Sequence, residues 1–89
     1  MLQTEQLVKQ ALASTLNYSS IENIENHNLL REDLNLDSMG SLMFLMKLEE
    51  TINGFYVDPE TLNPEDLKSV LSVIHYVESQ VLNREENVH

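Results

Sequence analysis

The chain has 89 residues, no cysteine and a formal net charge of -10, with 15 acidic and 5 basic side chains. Its length allows one small core, and the absence of cysteine excludes disulfides, thiolate metal sites and thiol nucleophiles. The acidic balance repels nucleic acid and anionic lipid and favours basic protein surfaces, although acidity can also serve solubility alone. We therefore expect a monomeric, cytoplasmic module that serves partner proteins and is not a self-sufficient enzyme.

The first predicted helix covers about residues 4 to 16, where apolar side chains recur at helical spacing. Glu5 and Lys9 interrupt this stretch, so it does not have the pattern of a signal peptide. No window of the chain has the run of about eighteen apolar residues that a membrane span needs. A connection rich in Asn and Ser then extends to Asp37. Its length is unusual for a compact domain and suggests a role in function.

The second predicted helix begins at Ser38 and ends near Asn53 and Gly54, which tolerate the positive φ that closes a helix. At 100° per residue its apolar side chains fall on two opposite stripes. The core stripe, predicted to be buried, consists of Phe44, Leu45, Leu48 and Ile52. The methionine stripe, predicted to be exposed, consists of Met39, Leu42, Met43 and Met46.

An exposed apolar stripe usually marks an interaction site, and methionine can repack against differently shaped partners. We therefore expect the methionine stripe to be a docking surface. The alternative is that the long connection folds over the stripe and buries it.

A brief helical turn is predicted around residues 60 to 62, and a last helix from Asn63 to about Leu82. Asn63 is a suitable N-cap, Pro64 suits the first helical position, and Asp66 lies three residues after the cap. The stretch VLSVIHYV is rich in β-formers, but its apolar residues recur at helical and not at strand spacing.

The expected fold is all-α, a small bundle of three main helices with a short extra helical turn. One domain is expected over residues 1–89, with a core over about residues 4–82. The polar tail, residues 83–89, is expected to fray.

Ser38 lies between an acid and an apolar helix, and several interpretations compete for it. As an N-cap, its oxygen would accept a hydrogen bond from an amide of the first turn. A hydrolase nucleophile is not supported, because there is no G-x-S-x-G sequence and neither His27 nor His75 lies in the context of a paired base. We therefore expect no catalytic residue.

A calcium loop is a further interpretation of this region, because Asp33, Asn35 and Asp37 match the first three ligand positions of the EF-hand pattern. However, Ser38 replaces the glycine of the sharp turn and Phe44 replaces the bidentate glutamate. The histidines also lack the spacing of metal ligands; they are His27, His75 and His89. No specific metal site is expected.

The stretch LLREDLNLDSMGSLMFLMKLEETINGFYVDPETLNPEDLKSVLSVIHYVESQ resembles the acyl carrier proteins, whose signature is Asp-Ser-Leu at the start of the second helix. Asp37-Ser38-Met39 matches it with methionine in place of leucine, a change that conserves volume. The resemblance covers about residues 4 to 82 and includes the order of helices and the acidity.

The resemblance implies that Ser38 carries 4'-phosphopantetheine, transferred from coenzyme A by a phosphopantetheinyl transferase. The thiol of this arm would hold an acyl or aminoacyl group as a thioester, and the chain itself would catalyse nothing. Asp37, Glu49 and Glu50 would position the methionine stripe for partners. The implied partners are loading and acyl- or peptide-processing enzymes with basic or apolar docking surfaces.

Two departures from the family pattern bear on the pathway. Fatty acid carriers usually have an acidic residue where this chain has Met43 and a small residue where it has Lys47. We therefore expect a freestanding carrier of a specialised polyketide or nonribosomal peptide pathway, with fatty acid synthesis as the alternative. The rival from another class is a noncovalent acidic helical adaptor, in which the methionine stripe binds a partner helix.

Overall fold

The computed structural model describes residues 3–52, 54–58 and 60–86. Three α-helices dominate: α1 (Gln3–Leu16), α2 (Ser38–Thr51) and α3 (Val70–Glu86). A short 3₁₀ helix, Pro64–Leu67, precedes α3. Across the described ranges there is no strand, only an isolated bridge between Leu29 and Ser69. The predicted all-α class is therefore confirmed.

Helix α1 has the predicted bounds to within one residue. Lys9 Nζ donates to Glu5 Oε2 at 3.1 Å in a partly buried pairing one helical turn apart. The helix ends at Asn17, which adopts a φ of 63°. The amide of Tyr18 then donates to the carbonyl of Ala13 at 2.9 Å, as in a Schellman cap. None of the helices in the described part of the chain is long and apolar enough to cross a membrane.

Helix α2 begins at the predicted residue and ends slightly before the predicted stop. Ile52 is its C-cap, with an amide that donates to the carbonyl of Leu48 at 2.9 Å. Gly54 follows with a φ of 82°, which confirms its predicted conformation. Asn53 lies outside the described residues.

The predicted start of the last helix is wrong. Asp66 Oδ2 accepts from the amide of Asn63 at 2.9 Å, as expected for a cap, but this start produces only the 3₁₀ helix. Helix α3 begins at Val70 because a second cap precedes it. Ser69 and Ser72 each accept, through Oγ, from the other's amide at 3.1 and 3.0 Å, in the manner of a capping box.

The predicted end at Leu82 is also wrong, because α3 continues to Glu86. Residues 83–86 of the predicted tail are therefore helical, and residues 87–89 lie outside the described part of the chain. The predicted turn around residues 60 to 62 is present, since the amides of Thr61 and Leu62 both donate to the carbonyl of Asp58 at 3.0 Å.

The core lies between the three helices and includes apolar residues of the long connection. From α1 it takes Val8, Ala11, Leu12 and Ala13; from α2, Phe44 and Leu48; from α3, Val70, Val73, Ile74, Tyr76 and Val77. The connection before α2 contributes Ile24, Leu30, Leu34 and Leu36. This connection therefore packs beneath the bundle and not over the methionine stripe.

Tyr76 joins α3 to the segment that follows α2. Its side chain is buried, and its ring meets Phe55 edge-on with centroids 6.2 Å apart. The hydroxyl accepts from the amide of Asp58 at 3.2 Å, which satisfies a polar group in a largely apolar place.

Candidate functional site

Ser38 is the first residue of α2, and its side chain is exposed. The N-cap is Asp37, whose Oδ1 accepts from the amide of Gly40 at 2.7 Å. The N-cap interpretation of Ser38 is therefore wrong. No hydrogen bond joins the Ser38 hydroxyl to any residue that the structure describes. This leaves the hydroxyl accessible for chemistry.

Gly40 lies close to the side chains of the cap. A Cβ placed there would lie 3.1 Å from Asp37 Oδ1 and 3.1 Å from Leu36 Cδ1, which is tighter than ordinary packing. Glycine therefore allows the carboxylate to reach the amide and Leu36 to stay buried beneath it. Sequence analysis missed this role, because a glycine inside the first turn of a helix has no pattern of its own.

A groove with a volume of about 820 Å³ opens beside Ser38. Ser38, Ser41 and Leu42 line it on α2, and residues of the long connection and of the 3₁₀ region complete it. Its apolar lining consists of Leu30, Leu36, Leu42, Leu45, Leu62, Pro64 and Leu67. No sequence pattern predicted this groove, because it joins segments that are far apart in the chain.

Apart from Leu45, which was predicted to be buried, the two stripes of α2 differ in burial as predicted. Phe44 and Leu48 are fully buried, Ile52 is buried, and Leu45 is partly buried at the groove. The exposed fractions in the methionine stripe are 67% for Met39, 61% for Leu42, 49% for Met43 and 60% for Met46. The stripe is thus an apolar surface adjoining the exposed serine, and Leu42 belongs to both the stripe and the groove.

The acyl carrier protein of Buchnera aphidicola subsp. Baizongia pistaciae (strain Bp) is 32% identical to this chain over 74 residues, which is 83% of the chain and 94% of that protein. The chain belongs to the acyl carrier protein family. This confirms the family predicted from the sequence around Ser38. No protein-family model matches the chain, and no solved structure matches it.

The acids predicted to assist docking in this acyl carrier protein family member all have partners within the chain. Asp37 caps α2. Glu49 Oε2 accepts from the amide of Val57 at 2.8 Å, which holds the segment after Gly54 against α2. Glu50 Oε1 lies 3.9 Å from Lys47 Nζ. Lys47 offsets part of the charge of Glu50, whereas the exposed carboxylates of Asp37 and Glu49 keep their charge while they hold backbone amides.

The polar residues of the predicted EF-hand pattern stabilise or turn the backbone. Asp33 Oδ2 accepts from the amide of Leu29 at 2.8 Å, and Asn35 adopts a φ of 58° that turns the chain toward α2. Within the described ranges, no three His, Asp or Glu side chains gather as metal ligands would. His27 lies 3.2 Å from Glu25 on the surface. His75 is exposed, and His89 lies outside the described residues.

Proposed function

We propose that this chain is a noncatalytic carrier that holds acyl or aminoacyl groups as thioesters on a 4'-phosphopantetheine arm attached to Ser38 Oγ. The observation that carries the proposal is the exposed Ser38 hydroxyl, which has no partner among the described residues and lies at the first position of α2. Membership of the acyl carrier protein family supports it.

The local structure fits a phosphodiester at this position. The first helical hydrogen bond of α2 runs from the amide of Ser41 to the carbonyl of Asp37 at 2.8 Å, so the amides of Ser38 and Met39 precede it. Such amides, together with the positive end of the helix dipole, stabilise an anion. When bound, the arm supplies the thiol that a chain without cysteine lacks.

The methionine stripe is the proposed docking surface for the partner enzymes. It adjoins Ser38, so an enzyme that binds it would hold its active site within reach of the arm. Tethered delivery replaces free encounter with a high effective concentration of cargo. The partners would be a phosphopantetheinyl transferase and the loading and acyl- or peptide-processing enzymes, with apolar or basic surfaces.

The pathway proposed is a specialised one of the polyketide or nonribosomal peptide type, with fatty acid synthesis as the alternative. The support is the surface of α2, where Met43 is exposed and Lys47 lies near Glu50, in place of an acidic and a small residue. Intact-mass measurement of the carrier from its native cell would discriminate, because the mass of the cargo differs between these pathways.

Incubation with coenzyme A and a promiscuous transferase tests the attachment site. The parent chain should gain one phosphopantetheinyl group by intact mass, and Ser38→Ala should gain none. Ser41→Ala is the matched control, because Ser41 is a second hydroxyl that lines the same groove; this variant should be modified normally. Modification of Ser38→Ala, or none of the parent chain, would refute the proposal. A parent chain that stays unmodified yet binds a helical peptide would instead be an adaptor.

A further inference from the structure

Four of the five lysine and arginine side chains of this acidic protein fall into two groups. Lys9 pairs with Glu5 at 3.1 Å, and Lys47 lies 3.9 Å from Glu50. Arg31 and Lys68, in contrast, make no side-chain hydrogen bond or ion pair with any residue in the described part of the chain. Both line the groove that opens beside Ser38.

Backbone contacts bring together the two segments that carry these residues. The amide of Leu30 donates to the carbonyl of Lys68 at 3.0 Å, next to the bridge between Leu29 and Ser69. The amide of Leu36, two residues before α2, donates to the carbonyl of Leu30 at 2.8 Å, so the start of α2 is held near the same segment. Two unpaired cations and the proposed attachment serine therefore share one groove.

We propose that Arg31 and Lys68 bind the phosphodiester of the arm and direct the arm into the groove, away from the methionine stripe. This inference rests on the proposed attachment at Ser38. An anion fixed at Ser38 gains from nearby cations, especially in a protein with a net charge of -10. Arginine and lysine are the side chains that bind phosphate oxygens, arginine through its planar pair of donors and lysine as a point charge.

The acids in the same groove decide which anion can bind. Glu32, Asp37 and Glu65 also line it, although the Asp37 carboxylate already accepts from the amide of Gly40. These acids disfavour a free anion. A phosphodiester attached to Ser38 is present at an effective concentration in the millimolar range or above, so even a weak site holds it. The cations therefore bind the tethered phosphodiester and not free phosphate.

The experiment compares amide NMR shifts of apo and holo protein, after intact mass has shown that Ser38 is loaded. Attachment should shift the amides of Leu62 and Leu67, in the groove wall remote in sequence from Ser38, and leave that of Met46 unchanged. In Arg31→Gln with Lys68→Gln the groove shifts should be lost. The control, Lys9→Gln with Lys47→Gln, removes the same charge outside the groove and should retain them.

Salt gives a second measurement on the unaltered chain. Raising the salt to about 1 M shortens the screening length to about 3 Å, so the groove shifts of the holo protein should disappear. Inorganic phosphate at about 0.1 mM, well below the effective concentration of the tethered group, should not reproduce them on the apo protein.

The inference would be overturned by groove shifts that persist in the double variant, by groove shifts that persist at high salt, or by holo protein without groove shifts. Loss of the shifts in the control variant would also overturn it, because a general charge effect would then explain the result. If the unaltered chain is never loaded, the mass measurement shows that the proposed function itself has failed. If the double variant cannot be loaded, the salt dependence of the groove shifts in the unaltered holo protein tests the inference alone.

Discussion

Leu48→Ala is predicted to destabilise the domain severely. Leu48 lies on the buried side of α2 and is fully enclosed in the core. Removing three carbon groups loses about 2.4 kcal/mol of transfer free energy at about 0.8 kcal/mol each. The cavity left behind raises the loss to about 3 to 5 kcal/mol. A domain of 89 residues has about 4 to 13 kcal/mol in total, so this substitution removes a large part of its stability.

Met43→Glu is the matched change on the opposite side of the same helix. About half of the Met43 side chain is exposed, so the substitution should alter the free energy of unfolding by less than about 0.5 kcal/mol. A carboxylate at position 43 also lies one turn before Lys47, which is the favourable order for a helical ion pair. We expect normal folding but slower use by partner enzymes, because removing a carboxylate from water in an apolar interface costs free energy that methionine does not cost.

Urea unfolding and a loading assay measure the two effects separately. With an m-value of about 1 kcal/mol/M, Leu48→Ala should lower the midpoint by about 3 M or abolish folding. Met43→Glu should leave the midpoint nearly unchanged and reduce loading efficiency by about fivefold or more, which corresponds to about 1 kcal/mol of interface energy. Met43→Gln is the control that changes polarity without adding charge.

One pattern of results would refute the assignment of the two stripes. If Met43→Glu unfolds the domain while Leu48→Ala leaves it intact, the buried and exposed sides of α2 are reversed. Full loading of Met43→Glu by every partner tested would instead separate the stripe from docking, and the interaction surface would have to be sought elsewhere.

Three further substitutions test local features, with urea midpoints as the measurement. Gly54→Ala should cost about 1 kcal/mol, because φ is 82° while an added Cβ meets nothing within 4 Å. Ser69→Ala should cost about 1 kcal/mol, because the hydroxyl that accepts from the Ser72 amide at 3.1 Å is lost. Tyr76→Phe should cost about 0.5 to 1.5 kcal/mol, because the Asp58 amide loses its acceptor.

Each of these has an outcome that would contradict it. An unchanged or raised midpoint for Gly54→Ala would show that the backbone there tolerates a side chain. For Ser69→Ala the control is Ser79→Ala, since the Ser79 hydroxyl donates to a carbonyl within its own helix at 3.0 Å and caps nothing. Equal losses in both serine variants would argue against a special cap. No loss in Tyr76→Phe would show that water replaces the tyrosine hydroxyl.

The helical pattern was sufficient to predict α1 and the division of α2. In both, apolar spacing follows one helical period, and Asn17 after α1 and Asp37 before α2 suit the helix ends that they form, so local and tertiary preferences agree. Gly54 was predictable for the same reason, because few other residues adopt its backbone conformation.

The start of α3 could not be predicted from the same signals, because two start signals lie six residues apart. Asn63 and Ser69 are each followed three residues later by a partner, Asp66 or Ser72. Contacts with a distant segment determine which of the two signals starts α3. The carbonyls of Asn28 and Asn26 accept from the amides of residues 70 and 71 at 3.0 Å, directly after the second cap. Such contacts between distant segments leave no local pattern.

The sequence indicated Ser38 and the methionine stripe of the candidate site, but not the groove beside them or the partners of the acidic residues. Ser38 and the methionine stripe lie within one helix, so periodicity and a short motif were enough to identify them as candidates. The groove joins the connection, α2 and the 3₁₀ region, and the partners of Asp37 and Glu49 depend on exact backbone positions. Both features require the folded chain, because charge in the sequence does not show which carboxylates already have amide partners.

The many apolar residues of α2 are explained by three surfaces on one helix. One surface, with Phe44 and Leu48, is fully buried and holds the helix in the bundle. A second, the methionine stripe, is largely exposed and is the surface proposed for docking. A third, with Leu42 and Leu45, lines the groove beside Ser38. Because the groove and the stripe meet at Leu42, an arm drawn into the groove and a partner on the stripe would contact the same side chain. Partner binding and withdrawal of the arm from the groove would then be coupled, with Leu42 as the shared contact.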